Sequence, residues 1–348
     1  MNTDPSPDFA GRIRVSLGIS DDHVCRVDID STRPQGVTKM FAGRTPEQTV
    51  LMLGMIFSLC STAQTIASLT ACEKALGLKP SASERTARDI LREAEMLTQT
   101  LMRVGVDWPK ALGLPPAITA VKNALSAQSE LQHALFRPND WKRLGGSGFT
   151  PNMKALPDIL KGLEQVIERD LYASGLVDQI LGKLDDLGIN DFGALASDQT
   201  PEIGALTRHW DAPEVKAVRE AHGAGLRARF VSRLVDVKGL PQSQLALLND
   251  LSPCDPDRSA VNSDGSGEIE VETARGALIH KVTIESGRVR TYDISAPTDA
   301  NFEPGGAVEL GLNGAHVSNR EALDQAANLH VLAVDPCVLC EVEISADE

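Results

Sequence analysis

The chain has 348 residues, 42% hydrophobic and 24% charged, the balance of a soluble globular protein able to bury a large core. Its net charge of −14 leaves no surplus of Lys and Arg to track a phosphate backbone, so no nucleic-acid partner is expected. The polar opening, Met1 to Pro7, has no signal-peptide pattern, and the longest apolar run, 50–60, is too short to span a bilayer, so six cysteines read as thiols of a reducing cytoplasm and no membrane contact is expected.

Residues 1–11 read as a disordered tail, and 12–348 as one domain. Residues 12–30 alternate apolar and polar around Ser20-Asp21-Asp22, the pattern of a hairpin. Thr45-Pro46 with Gln48 predicts a helix start, and the helix is expected to run unbroken to about Leu76 before Gly77. Further helices are predicted at 83–104, 116–136, 155–173, 175–186 and 213–235. The stretches 138–154 and 190–212 read as connecting loops, and Gly145-Gly146-Ser147-Gly148 reads as a flexible link, because it lacks the lysine and the strand–helix context of a phosphate loop.

A polar stretch, 251–267, closes the helical part, and strands are predicted at 268–273, 277–285 and 288–296, with Glu285-Ser286-Gly287 as a hairpin turn. A short helix near 318–328 is expected to lead into a strand, Leu329–Val334, and then into Asp335-Pro336-Cys337-Val338-Leu339-Cys340. The fold class expected is α+β: a helical bundle with small mixed-sheet elements formed by the N- and C-terminal segments. The parts are 12–110 (hairpin and Cys60 helix), 111–250 (helical middle) and 265–343 (strands and closing cysteines). That arrangement brings Cys337 and Cys340 towards the long first helix.

Two thiols three residues apart and far from any following helix suit a soft metal better than a thioredoxin-type redox pair. Cys60, at mid-helix among Leu, Phe and Ala, reads by itself as a small buried hydrophobe. Cys72, about 120° further round the helix, and Cys25 read as core, and Cys254 as a loop thiol. Taken singly, Arg275 and His280 suit a strand end with a surface salt bridge, and Asp335-Pro336 suits a turn.

Three segments together resemble the large subunit of nickel–iron hydrogenases. Asp335 to Cys340 is similar to that family's closing D-P-C-x-x-C. Glu272-Thr273-Ala274-Arg275-Gly276-Ala277-Leu278-Ile279-His280 is similar to its E-x-P-R-G-x-L-x-H segment. Cys60 to Ser68, with Glu73 to Gly77 after it and Gly43-Arg44-Thr45-Pro46 before it, resembles the R-x-C-G-x-C-x-x-x-H helix and its surroundings. The resemblance covers roughly 12–110 and 265–343.

In that family four cysteines hold the metals. Here the first position of the N-terminal pair is Phe57, and Cys60 alone remains. The resemblance implies that Cys60 and Cys340 match the iron-bridging sulfurs and Cys337 one terminal nickel ligand. The family's histidine after the N-terminal pair is Gln64, its proton-relay acid is Ser16, and its magnesium-binding pair is Thr38 and Glu343; with only Ile344 to Glu348 beyond, no cleavable extension is evident. Arg275, Asp335 and Asp107 match residues over the diatomic ligands, where a guanidinium can donate in a fixed fork.

This pattern of kept and lost residues resembles the HupK/HoxV group of hydrogenase maturation proteins. The resemblance implies a non-catalytic scaffold that carries an Fe(CN)2CO unit, with or without nickel, to the apo large subunit of a hydrogenase. A HypC-like chaperone or the HypC–HypD complex would act upstream. Two alternatives stay open: a structural zinc protein using Cys60, Cys337, Cys340 and Glu343, and a degenerate hydrogenase with residual redox activity.

Overall fold

The computed structural model describes residues 11–20, 22–34, 36–195, 202–255, 261–316 and 319–346; the expected tail, Gly11 aside, lies outside them. The alternating segments β1 (Arg12–Ser20) and β2 (His23–Ser31) pair antiparallel, with Asp22 at φ 60 in the turn. The inward side chains of β1, Ile13, Val15 and Leu17, are buried to 1% exposure or less. Along its other edge β1 pairs in parallel with β6 (Leu339–Ala346), from Arg12 opposite Leu339 to Ile19 opposite Ala346. The order β2-β1-β6 makes a mixed sheet from the two ends of the described chain.

The helices follow in chain order: α1 (Pro46–Ile56), α2 (Ser61–Leu76), α3 (Ala82–Met102), the short α4 (Trp108–Ala111), α5 (Ile118–Leu135), α6 (Leu156–Ile167) and α7 (Leu176–Leu187). The short α8 (Ala205–Arg208), α9 (Pro213–His222) and the long α10 (Leu226–Leu247) complete the middle. Then β3 (Gly265–Thr273), β4 (Gly276–Glu285) and β5 (Arg288–Ser295) form an antiparallel sheet of their own, in that order. Ser286 (φ 51) and Gly287 (φ 70) make its expected second turn. Last come α11 (Pro297–Phe302), α12 (Ala307–Leu312) and α13 (Arg320–Val334).

The expected α+β class holds, with four local corrections. The single helix from 45 to 76 is two helices bent by 103°, broken at Phe57 and a 3₁₀ turn, Ser58–Cys60. Cys60 is therefore the N-cap residue of α2 and not a mid-helix residue. The helix expected at 213–235 is α9 and α10, because Gly223 takes φ 74 and Gly225 lies so close to Asp191 that a Cβ would sit 2.4 Å from its backbone. The strand expected at Leu329–Val334 is the end of α13, capped at its start by Asn319; a short apolar run is ambiguous between buried helix and strand.

The glycine-rich link is pinned. Gly145 N–H donates to Glu73 (3.0 Å) and Ser147 N–H to Glu84 (2.8 Å), while Arg88 forks onto both Glu73 oxygens at 3.0 Å. Two carboxylates of α2 and α3 thus satisfy backbone donors that a flexible loop would leave to water.

The main core lies between the β2-β1-β6 sheet and the helices, with the Trp108 and Phe230 rings 4.9 Å apart and tilted by 43°, and Leu97, Leu226 and Leu329 fully buried. A second cluster joins α2 to the other sheet through Leu69, Ala71, Cys72, Val282 and Tyr292. Close approach there requires glycine: a Cβ on Gly265 or Gly267 would stand 2.1 or 1.9 Å from the carbonyl oxygens of Ala75 and Ala71. Among the described residues no single helix is long and apolar enough to cross a membrane. The bent pair α1–α2 passes by length and composition only, and α2 is mostly buried.

Candidate functional site: a thiol-lined cavity

After the break from α1, α2 begins where a buried carboxylate meets its first amides. Glu95, on α3, accepts from Thr62 N–H (2.7 Å) and Ala63 N–H (3.0 Å), two of the amide groups left unpaired at the start of α2. Burial raises the carboxyl pKa of Glu95, against the pull of those two amides. With the first turn of α2 already capped from α3, the positive end of the helix is not available to lower the Cys60 thiol. Burial pushes that thiol up to about 12, with Arg275 pulling the other way.

The C-terminal segment is anchored by charge. Asp335 ends α13 at φ 66 and is 1% exposed. Three guanidiniums reach its carboxylate: Arg103 Nε at 2.7 Å, Arg275 Nε at 3.3 Å and Arg233 Nη1 at 3.4 Å. Burial would raise the Asp335 pKa, but Arg103, Arg275 and Arg233 together bring it down to about 2. Arg103 also pairs with Asp107 at 2.6 Å, and Arg233 donates to Ala333 O at 2.9 Å. Just beyond, Cys337 N–H donates to the Thr298 hydroxyl at 3.2 Å. The strained left-handed turn at Asp335 is thus held from α10, from the turn after α3 and from the β3–β4 corner.

Where the two segments meet lies a cavity of about 600 Å³. Cys60, Cys337 and Arg275 are on its wall, together with Phe57, Gln64 and Thr298, and apolar side chains such as Ile13, Ile56 and Phe302 complete it. Of the six site residues named from the sequence, three therefore share this wall. Asp335 stands behind it as the partner of Arg275, and Asp107 stands one ion pair further back, through Arg103. Cys340 does not line the cavity: it lies in β6 opposite Ile13, half-buried against the main core, and burial, with Glu341 adding, raises its thiol to about 12.

Other positions read differently in three dimensions. Arg275 (6% exposed) and His280 (0%) are buried, which removes the surface salt-bridge reading for both. Asp335 is more than turn chemistry, and Cys25, expected in the core, is exposed on β2. Thr38 lines the cavity, while Glu343 points to Arg14 at 3.4 Å on the outer sheet. Cys72 is buried against the β3-β4-β5 sheet, and Cys254 approaches the Ser81 hydroxyl at 2.9 Å. Among the described residues no group of three or more His, Cys, Asp or Glu side chains is arranged to hold a metal ion, so the Cys60, Cys337, Cys340 and Glu343 zinc set is not assembled.

Sequence reasoning missed Glu95, Arg103 and Arg233. Arg103 had a local signal in its i, i+4 spacing to Asp107. Glu95 and Arg233 had none, since their partners lie 32 and 100 residues away or more.

Chemically, the wall offers two soft sulfur donors, a guanidinium whose Nη1 is tied to Gln99 at 2.6 Å, and apolar surface.

Comparison with known proteins agrees with the resemblance read from the motifs. The chain is 29% identical to the hydrogenase expression/formation protein HupK of Rhizobium leguminosarum bv. viciae, over 96% of this chain and 97% of that one. It is 29% identical to the HupK protein of Azotobacter vinelandii, over 97% and 99%. No family model matches. Among solved structures it is similar to the Ni-Fe-Se hydrogenase of D. vulgaris Hildenborough in the reduced state, at a TM-score of 0.73 and 18% identity, covering 92% of this chain and 95% of that one. It is likewise similar to the Ni-Fe-Se hydrogenase of Desulfomicrobium baculatum, at 0.69 and 15%, covering 92% and 95%. These likenesses establish the fold as that of a hydrogenase large subunit, and the two HupK relatives are themselves hydrogenase expression/formation proteins.

Proposed function

We propose that the chain is a non-catalytic cytoplasmic scaffold on which the Fe(CN)2CO unit of a nickel–iron hydrogenase is held before transfer to the apo large subunit. The observation that carries this reading is the pairing of Cys60 and Cys337 with Arg275 on one cavity wall, where Phe57 replaces a thiolate. Iron is here the cargo. Cys60 and Cys337 would supply its sulfur donors, and Arg275, backed by Asp335 and Asp107 through Arg103, would donate to a cyanide nitrogen. Cys340 is the third proposed thiol, and it reaches the cavity only if the backbone from Val338 to Cys340 turns away from its pairing with Ile13.

A carrier must release what it holds. With a phenylalanine in place of one thiolate the scaffold binds through fewer sulfurs than a full four-cysteine site, so transfer to such a site runs downhill. The same loss argues against a finished nickel–iron catalyst, and nickel would find an incomplete shell. By this reading the donor of the iron unit is a HypC-like chaperone, alone or with HypD.

The test is an infrared spectrum of the protein purified without oxygen from cells that contain the maturation machinery. Bands from bound cyanide and carbon monoxide, lost in Cys60→Ser and kept in Cys25→Ser, are expected. Intact wild-type protein with iron or zinc but no such bands would overturn the proposal.

A further inference from the structure

The cavity takes in the start of β1 and the end of β2, through Ile13, Ile29 and Ser31. The turn at the opposite end of that hairpin carries a different pair of metal-ligating side chains. His23 opens β2 and bridges antiparallel to His316, in the segment after α12. Val24 N–H donates to Ala315 O at 3.0 Å, and Gly314 N–H to Val24 O at 2.8 Å, so the two backbones hold each other. Bridge partners present their side chains on one face, within reach of each other. Here the two imidazole rings stack, with centroids 4.6 Å apart and planes 26° from parallel, and both residues are exposed.

The hydrogen on the His316 ring is placed by its partner. Nδ1 lies 2.8 Å from the backbone carbonyl oxygen of Asp22. A carbonyl only accepts, so Nδ1 carries the hydrogen, and in the neutral ring Nε2 keeps its in-plane lone pair. One ring nitrogen donating to a backbone carbonyl while the other stays a Lewis base is the way metal-binding histidines are oriented. Asp22 itself is fixed at φ 60 in the β1–β2 turn, so this acceptor is part of the fold. A simple contact between turn and loop needs neither two facing histidines nor a set tautomer.

We propose that His23 and His316 form a two-histidine site for a divalent transition-metal ion of the Ni2+, Cu2+ or Zn2+ class. Imidazole suits these ions, whereas Mg2+ and Ca2+ prefer oxygen ligands. Metal–nitrogen bonds of about 2.0–2.1 Å hold two ring nitrogens within roughly 4 Å of each other. Exposed, stacked rings reach that spacing by a small pivot. Among the described residues no third His, Cys, Asp or Glu joins the pair, so water completes the shell. An ion held there ties the β1–β2 turn to the segment after α12, which couples binding to the stability of both. The pair does not depend on the scaffold reading of the cavity.

Calorimetric titration of the full-length protein with nickel chloride tests it. Binding at the thiols is told apart by its sulfur-to-nickel charge-transfer absorption, which nitrogen ligands do not give. One equivalent bound without that absorption is expected. His23→Ala and His316→Ala should each weaken it by at least about ten-fold. The double variant should add little to either, because a chelate is lost with its first ligand. Cys60→Ser should leave this equivalent unchanged, and magnesium chloride should not displace it. Nickel should also raise the melting temperature of wild type and Cys60→Ser but not of the histidine variants, whose metal-free melting should match wild type. Equal nickel binding in wild type and both histidine variants overturns the proposal. A double variant that loses the sum of the two single effects overturns it too, since that marks two independent imidazoles.

Discussion

The two cysteine-bearing segments at the cavity are held in place by different physics. Around Cys60 the supports are hydrogen bonds: Glu95 caps the start of α2, and Gln64, His280 and Tyr292 follow one another behind the sulfur. Around Cys337 the support is ionic: one buried carboxylate, Asp335, sits among three arginines from distant parts of the chain. The hydrogen-bonded support fixes the start of a helix, while the charged one positions a backbone turn.

That contrast can be broken by substitution. The largest effect is expected for Asp335→Asn, which leaves the buried Arg233 and Arg275 without their ion-pair partner, Arg103 keeping Asp107, and should cost about 3–5 kcal/mol in a denaturant titration. A loss under about 1 kcal/mol, the range of an exposed pair, would mean that the ionic support is dispensable. Glu95→Ala should cost less, roughly 1–3 kcal/mol, because it orphans two neutral amides; a cost as large as that of Asp335→Asn would erase the distinction between the two segments.

Acid sharpens it further. The folded pKa of His280 is depressed to about 3, so the unfolded chain binds a proton first, and the stability contributed by the neutral ring falls as pH drops from about 6.5 towards 3. Asp335, depressed to about 2, contributes stability that persists above the usual carboxylate range and is lost only as pH falls through its folded value. Melting curves in that order should show His280→Phe flattening the upper part of the acid decline while leaving the lower part. A single decline at both positions would refute the separation. The smallest effect is expected for Cys25→Ser, which touches neither support and should change stability by less than about 0.5 kcal/mol.

Much of the site was legible because motifs name residues by short spacing. Cys60, Cys337 and Arg275 came from three separate segments and do share one wall. The break at Phe57 was not legible: the run from Val50 to Cys60 is apolar but for Gly54, which lies inside α1, and Ser58, a single weak signal. What receives the start of α2 is the distant Glu95, which no local pattern reveals. The same holds for Arg233, which on periodicity alone reads as a charge on an ordinary helix, although it is 2% exposed. β6 was overlooked because the apolar run before Asp335 took the role of the last strand, and the alternation of Val342 and Ile344 with Glu341 and Glu343 was the signal for the true one.

The parallel pairing of β1 with β6 has a consequence in time. Strands more than 300 residues apart must meet to complete the sheet, and contacts of such separation form slowly and late. During synthesis β1 can pair with β2 at once, but its other edge stays open until the closing residues emerge. Cys337 arrives with that same last segment. A chain still without these residues thus lacks Cys337 and Val338 on the cavity wall.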